Sequence, residues 1–191
     1  MTTQRLEAFS DGVLAIIITI MVLELKVPHG SDLEALRPMV PVFAAYLLSF
    51  IYVGIYWTNH HHLFQACETV DGAVLWANLG LLFFLSLIPV VTAWVGDHPG
   101  APWPAALYGV VLMLAAIAWS VLVKALIARN PGSELARAVG QGWKEKISAG
   151  LYLLAIGLAF VRPWIAEAIY AGTALLWVVP DRRIERSLSV G

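Results

Sequence analysis

A chain of 191 residues has the length of one soluble domain, but 60 % hydrophobic against 13 % charged residues excludes an ordinary soluble globule. A mean hydropathy of +0.77 fits an integral membrane protein, and a formal net charge of -1 supplies no basic footprint for nucleic acid. Lipid admits only helices or closed barrels, and the apolar stretches here are long and unbroken where barrel strands would be short and alternating, so the expected class is all-α.

Six transmembrane helices are expected in a single domain over 1–191, at approximately 7–27, 38–64, 72–96, 103–128, 144–161 and 163–180. The first lies in RLEAFSDGVLAIIITIMVLELKVP, residues 5–28, apolar from Gly12 to Leu23. A signal peptide is its rival reading, but Asp11 interrupts the apolar stretch, and Glu24 and Lys26 stand where small residues would mark a cleavage site. With a step of about 100° per residue, Phe9, Gly12, Ile16, Thr19, Ile20, Leu23 and Val27 share one stripe of this helix, and Asp11 falls nearly opposite Ile16. Helix 2 closes on YWTNHHHLF, residues 56–64. Its three consecutive histidines diverge by about 100° each and cannot all face one ion, so no metal site is expected. Cys67 is the one cysteine and supports neither a disulfide within the chain nor a zinc scaffold.

Between helices 4 and 5, ARNPGSELARAVGQGWKEK is the largest polar insertion, read as a turn followed by an amphipathic stretch at the headgroups. The uncharged run of helix 5, Ile147 to Val161, spans only roughly 22 Å at 1.5 Å per residue. Its ends must therefore extend, with Lys144 and Lys146 snorkelling. VRPW leaves almost no loop before helix 6, and Pro163 suits a first helical position. Glu167 is the one acid well inside a span to which no role is assigned. Trp57, Trp94, Trp103 and Trp164 sit near helix ends and read as interfacial anchors. With six crossings, nine of the twelve Lys and Arg residues fall on one side and Lys26, Arg37 and Arg162 on the other. The excess places both termini in the cytoplasm of a multi-pass protein of the cell membrane.

Arg5, then Phe9-Ser10-Asp11, then an Ile/Leu/Thr-rich helix ending in Leu-Glu resembles the RxxxFSD signature of the transmembrane protein 175 potassium channels. Trp57-x-Asn59-His60-His61 is similar to the motif that ends helix 2 in that family, and the Asn78 to Pro89 segment of helix 3 supports the resemblance. The resemblance covers the first half of the chain. It implies a potassium channel that is no enzyme and needs no cofactor: a homotetramer of single-repeat subunits in the bilayer, helix 1 lining a central pore. It further implies a constriction at Ile16, seven residues after the motif Phe, with pore positions at Thr19, Ile20 and Leu23. Helical geometry had already grouped these four. Ile16, Ile20 and Leu23 are then the expected hydrophobic gate and Thr19 the selectivity layer, its hydroxyl able to replace a hydration water. Arg5, Phe9, Ser10 and Asp11, with His60, His61 and Asn78, are expected to brace helix 1 from behind through a polar network without touching the permeant ion.

Taken alone, an aliphatic stripe at helical spacing is more often packing than pore, and Asp11 serves equally as a helix cap or first-turn acid. The alternative function is a secondary transporter or a proton-conducting membrane protein. A transporter, however, calls for broken helices and acids at mid-membrane depth, whereas helix 1 is uninterrupted and Asp11 lies at its edge. An intramembrane enzyme built on the His cluster lacks an evident nucleophile or metal set.

Overall fold

The structure, a computed structural model, describes residues 3–67, 69–131 and 143–178. These form seven α-helices: α1 Thr3–Leu23, α2 Val40–Gln65, α3 Gly72–Ser86, α4 Ile88–Asp97, α5 Pro102–Arg129, α6 Trp143–Ala159 and α7 Pro163–Val178. A 3₁₀ helix, Leu33–Met39, leads into α2. Because α3 and α4 stack across Leu87, the rods number six, and the four over Thr3–Leu23, Leu33–Gln65, Gly72–Asp97 and Pro102–Arg129 are long and apolar enough to cross a membrane. Among the described residues, α6 and α7 cover 17 and 16 residues.

Local chemistry sets the boundaries. The Asp71 carboxylate accepts from the Val74 amide at 3.0 Å and starts α3, and Pro163 opens α7 where its missing N–H is harmless. Helix 1 stops at Leu23, four residues before the expected end at 27. Pro28 disfavours helical geometry at Val27, and the Leu25 amide donates to the Val22 carbonyl at 3.2 Å in a tightened last turn. Val27 thus leaves the stripe. The rod expected over 72–96 has a joint at Leu87, since Pro89 cannot donate to the carbonyl four residues back and its ring crowds that carbonyl. The last helix is described to Val178, and its expected residues 179 and 180 lie outside the described residues, as do Arg137, Arg182, Arg183, Arg186 and most of the polar insertion.

The long helix α5 is the axle of the bundle, packed against α3, α4, α6 and α7, and it buries Leu112, Ala115, Leu122 and Leu126 completely or nearly so. On the other side α2 meets α1, α4 and α7. Hydroxyl groups inside this apolar core are paired, as lipid requires. Ser49 Oγ lies 2.6 Å from Thr92 Oγ1 and 2.9 Å from the Tyr108 hydroxyl, joining α2, α4 and α5. Tyr52 donates to the Tyr170 carbonyl at 2.7 Å, and the Tyr170 hydroxyl donates to the Ala105 carbonyl at 3.1 Å. Gly96 admits the Val42 backbone so closely that a Cβ there would stand 2.9 Å from the Val42 Cα.

Exposed ion pairs mark the two ends of the bundle without adding much stability. Lys26 meets Asp97 at 3.8 Å at one end, and Arg129 approaches Asp71 at 4.0 Å at the other. The second end also collects the start of α1, the histidines of α2 and the start of α6. Cys67 is buried there, and burial pushes its thiol up to about 11, which keeps it protonated and unreactive at neutral pH.

Candidate functional site: the first helix and its brace

Helix α1 is apolar all round its second half, so its two faces are distinguished by what they touch. Leu6, Ser10, Leu14, Ile17 and Met21 recur at steps of three and four residues and are buried against α2, α3 and α4. The opposite stripe points away from the bundle. Ile16 is 58 % exposed and Leu23 80 %, and Phe9, Gly12, Thr19 and Ile20 are exposed with them. Thr19 Oγ1 donates to the Ile16 carbonyl at 2.8 Å. That bond uses its one hydroxyl proton and leaves the oxygen lone pairs free to face a cation.

Behind this stripe runs a directed chain of hydrogen bonds. His60 Nε2 stands 2.8 Å from Asn78 Oδ1, Asn78 Nδ2 donates to Ser10 Oγ at 3.0 Å, and Ser10 donates to the Leu6 carbonyl at 2.9 Å. All three side chains are buried, so each bond removes a group that lipid could not satisfy. Since Asn78 Oδ1 can only accept, His60 Nε2 carries the proton. His60 Nδ1, buried without a partner among the described residues, is then a bare lone pair in the neutral ring and strands no N–H. Ser10, Asn78 and His60 thereby tie α1, α3 and α2 together.

A second set of contacts grips the same end of α1. His61 Nδ1 donates to Glu7 Oε1 at 2.6 Å and its Nε2 accepts from Gln65 at 2.8 Å, while the Trp57 indole donates to Asp11 at 3.1 Å. Trp57 also stacks on His61, with ring centroids 6.3 Å apart and planes 17° from parallel. Glu7 and Asp11 are four residues apart on α1, and Trp57 and His61 four apart on α2. Because the helices are antiparallel, the two ladders meet rung for rung. Sequence reasoning did not single out Glu7, and it took Trp57 for an interfacial anchor. The matching four-residue steps on consecutive antiparallel helices were the available signal.

Not every expected brace residue joins in. Arg5 is exposed and has no hydrogen-bond or ion-pair partner among the described residues, and Phe9 lies on the outward stripe with Ile16. Asp11 contacts Trp57, not Ser10 or an imidazole. Among the described residues no three His, Cys, Asp or Glu side chains gather as metal ligands.

Six apolar rods, polar side chains linking them from within, and an aliphatic stripe turned outward from a braced first helix define a multi-pass, all-helical membrane protein. The chain belongs to the TMEM175 family. The sequence model of that family, described as endosomal/lysosomal potassium channel TMEM175, matches residues 5–89. A potassium channel of Chryseobacterium sp. is 54 % identical over 98 % of both chains. The crystal structure of a lysosomal potassium-selective channel TMEM175 homolog from Chamaesiphon minutus superposes with a TM-score of 0.79 at 33 % identity, covering 93 % of this chain and 96 % of that one. The Gallus gallus endosomal/lysosomal proton channel TMEM175 is 29 % identical over 64 % of this chain, a match that spans 25 % of the longer protein.

Proposed function

We propose that this chain is the subunit of a potassium-preferring cation channel of the cell membrane, with four copies arranged around a pore lined by α1 and both termini in the cytoplasm. Ile16, Ile20 and Leu23 form its hydrophobic gate and Thr19 its selectivity layer, while the brace holds α1 and touches no ion. The observation that carries this reading is the division of α1 itself: the stripe from Ile16 to Leu23 is left uncovered by its own subunit while Ser10 and Asn78 on the opposite side are buried. Relatives named as potassium channels supply the ion.

Aliphatic side chains cannot replace an ion's hydration shell, so the pore must be wet when open. Ile16 to Leu23 covers about 10 Å of axis at 1.5 Å per residue, long enough for branched side chains drawn together to expel water and stop current by dewetting. Selectivity is modest under this arrangement, because the stripe offers Thr19 hydroxyls in place of a carbonyl cage, and potassium sheds water more readily than sodium.

Flux from liposomes tests the reading. Potassium should leave down its gradient without a co-substrate, at a rate that stops at the potassium equilibrium potential. An obligatory proton or solute requirement would indicate a carrier, and proton current without potassium current would indicate the activity named for the animal relatives. Ile16→Asn, which places an amide in the constriction, should raise the closed-state leak about tenfold or more and narrow the preference for potassium over sodium. An unchanged leak removes Ile16 from the gate.

A further inference from the structure

Arg5 is the motif residue that the brace leaves unused. Its side chain is exposed and meets no hydrogen-bond or ion-pair partner among the described residues. Nothing among those residues accounts for a base at this place, near the N-terminal end of α1, where the helix dipole favours an acid. The spacing does. Arg5, Phe9, Gly12, Ile16, Thr19 and Leu23 recur at alternating steps of four and three, and all six are exposed, so Arg5 begins the same outward stripe that carries the proposed gate.

The ordinary reading of a basic residue at the cytoplasmic end of a span is an anchor for lipid headgroups. In the assembly proposed above that reading fails, because a residue on this stripe faces the axis and not the lipid. Helical side chains lean toward the N-terminus, which carries the guanidinium away from the gate and into the water at the mouth. Arg5 precedes Ile16 by about 16 Å of axis at 1.5 Å per residue, so its charge stands well clear of the constriction.

We infer that Arg5 is a pore-mouth residue: four guanidiniums, one from each copy, ring the cytoplasmic entrance and slow the entry of cations from that side without choosing among them. The inference rests on the channel reading and adds a rate-setting residue to it. Helices about 8–10 Å apart around a square place each helix axis roughly 6–7 Å from the centre, so an entering ion passes within about 10 Å of all four charges. In water at that distance, four unit charges lower the local concentration of a monovalent cation about sevenfold at 0.01 M salt, about threefold at 0.1 M and hardly at all at 1 M, as the Debye length shrinks from about 30 Å to about 3 Å. Charged rings of this kind control which ions approach a pore, while the constriction beyond them decides which ions pass.

Single-channel recording from the purified protein in planar bilayers tests the inference. In symmetric potassium chloride, Arg5→Gln should raise outward potassium current about sevenfold at 0.01 M, about threefold at 0.1 M and not measurably at 1 M, with the preference for potassium over sodium unchanged. Arg5→Lys keeps the charge and should keep the parent's currents at every concentration. An Arg5→Cys channel should lose outward current when a cationic methanethiosulfonate is added on the cytoplasmic side and keep it with a neutral one, while the parent, whose Cys67 is buried, responds to neither. Equal currents in a conducting parent and Arg5→Gln at 0.01 M would overturn the inference and leave the channel reading standing. A rise that persists at 1 M, or a shifted ion preference, would make the effect structural and overturn it too. A parent that passes no potassium at all would overturn the channel reading and take this inference with it.

Discussion

At the scale of single residues, Asn78 is the side chain on which most depends. Both ends of its amide are used, one by His60 and one by Ser10, and all three groups are buried where water cannot replace a lost partner. Asn78→Leu should therefore strand the His60 N–H and remove the bond that Ser10 Oγ accepts, and lower stability by about 2–6 kcal/mol, taking roughly 1–3 kcal/mol for each lost partner. Ser10→Ala removes one end of the chain and should cost about half as much. Thermal unfolding in a fixed detergent measures both, and equal small effects would show that the chain bears little strain-free holding energy. Ser10, Asp11 and the histidines stood out in the sequence because charged and polar residues at the edge of an apolar run demand partners. Who partners whom did not stand out. Trp57 takes Asp11 and Glu7 takes His61, choices made by the antiparallel register of α1 on α2, which a single helix does not contain.

At the scale of elements, the six rods follow from hydrophobic run lengths, and their ends follow from proline and capping chemistry. The joint at Leu87 and the early stop at Leu23 both trace to prolines that are plain in the sequence, Pro89 and Pro28, whose effect an uncharged run length does not register. Polar links between distant elements are less visible still. Ser49 finds partners 43 and 59 residues away in Thr92 and Tyr108, and nothing periodic in α2 announces them. Small residues set how closely rods approach. A Cβ at Gly96 would meet backbone of α2, which cannot rotate away as a side chain would. Gly96→Ala should force α4 off α2 and destabilise the fold by about 1–3 kcal/mol. Gly150→Ala, with open space around it in α6, is the matched control and should be neutral or slightly stabilising when unfolding midpoints are compared.

At the scale of the whole molecule, a lone subunit presents an unresolved balance: one stripe of its best-braced helix is greasy, ordered and uncovered. Lipid would tolerate that stripe, but lipid contact gives no reason for a helix to be gripped by two separate sets of polar contacts at one end. The channel proposed above would, since branched side chains that close a pore between copies must be held to within a small rotation of one another. The stripe was readable from a period of 3.6 and the motif that precedes it. Its outward direction was not, because direction depends on which face the other helices cover.

Imaging the assembly in a lipid nanodisc tests this account most directly. It predicts four copies about one axis, with Ile16, Ile20 and Leu23 of each α1 converging there at the narrowest point and Ser10 and Asn78 turned away. A monomer, or an oligomer in which α1 sends that stripe into the lipid, would contradict it.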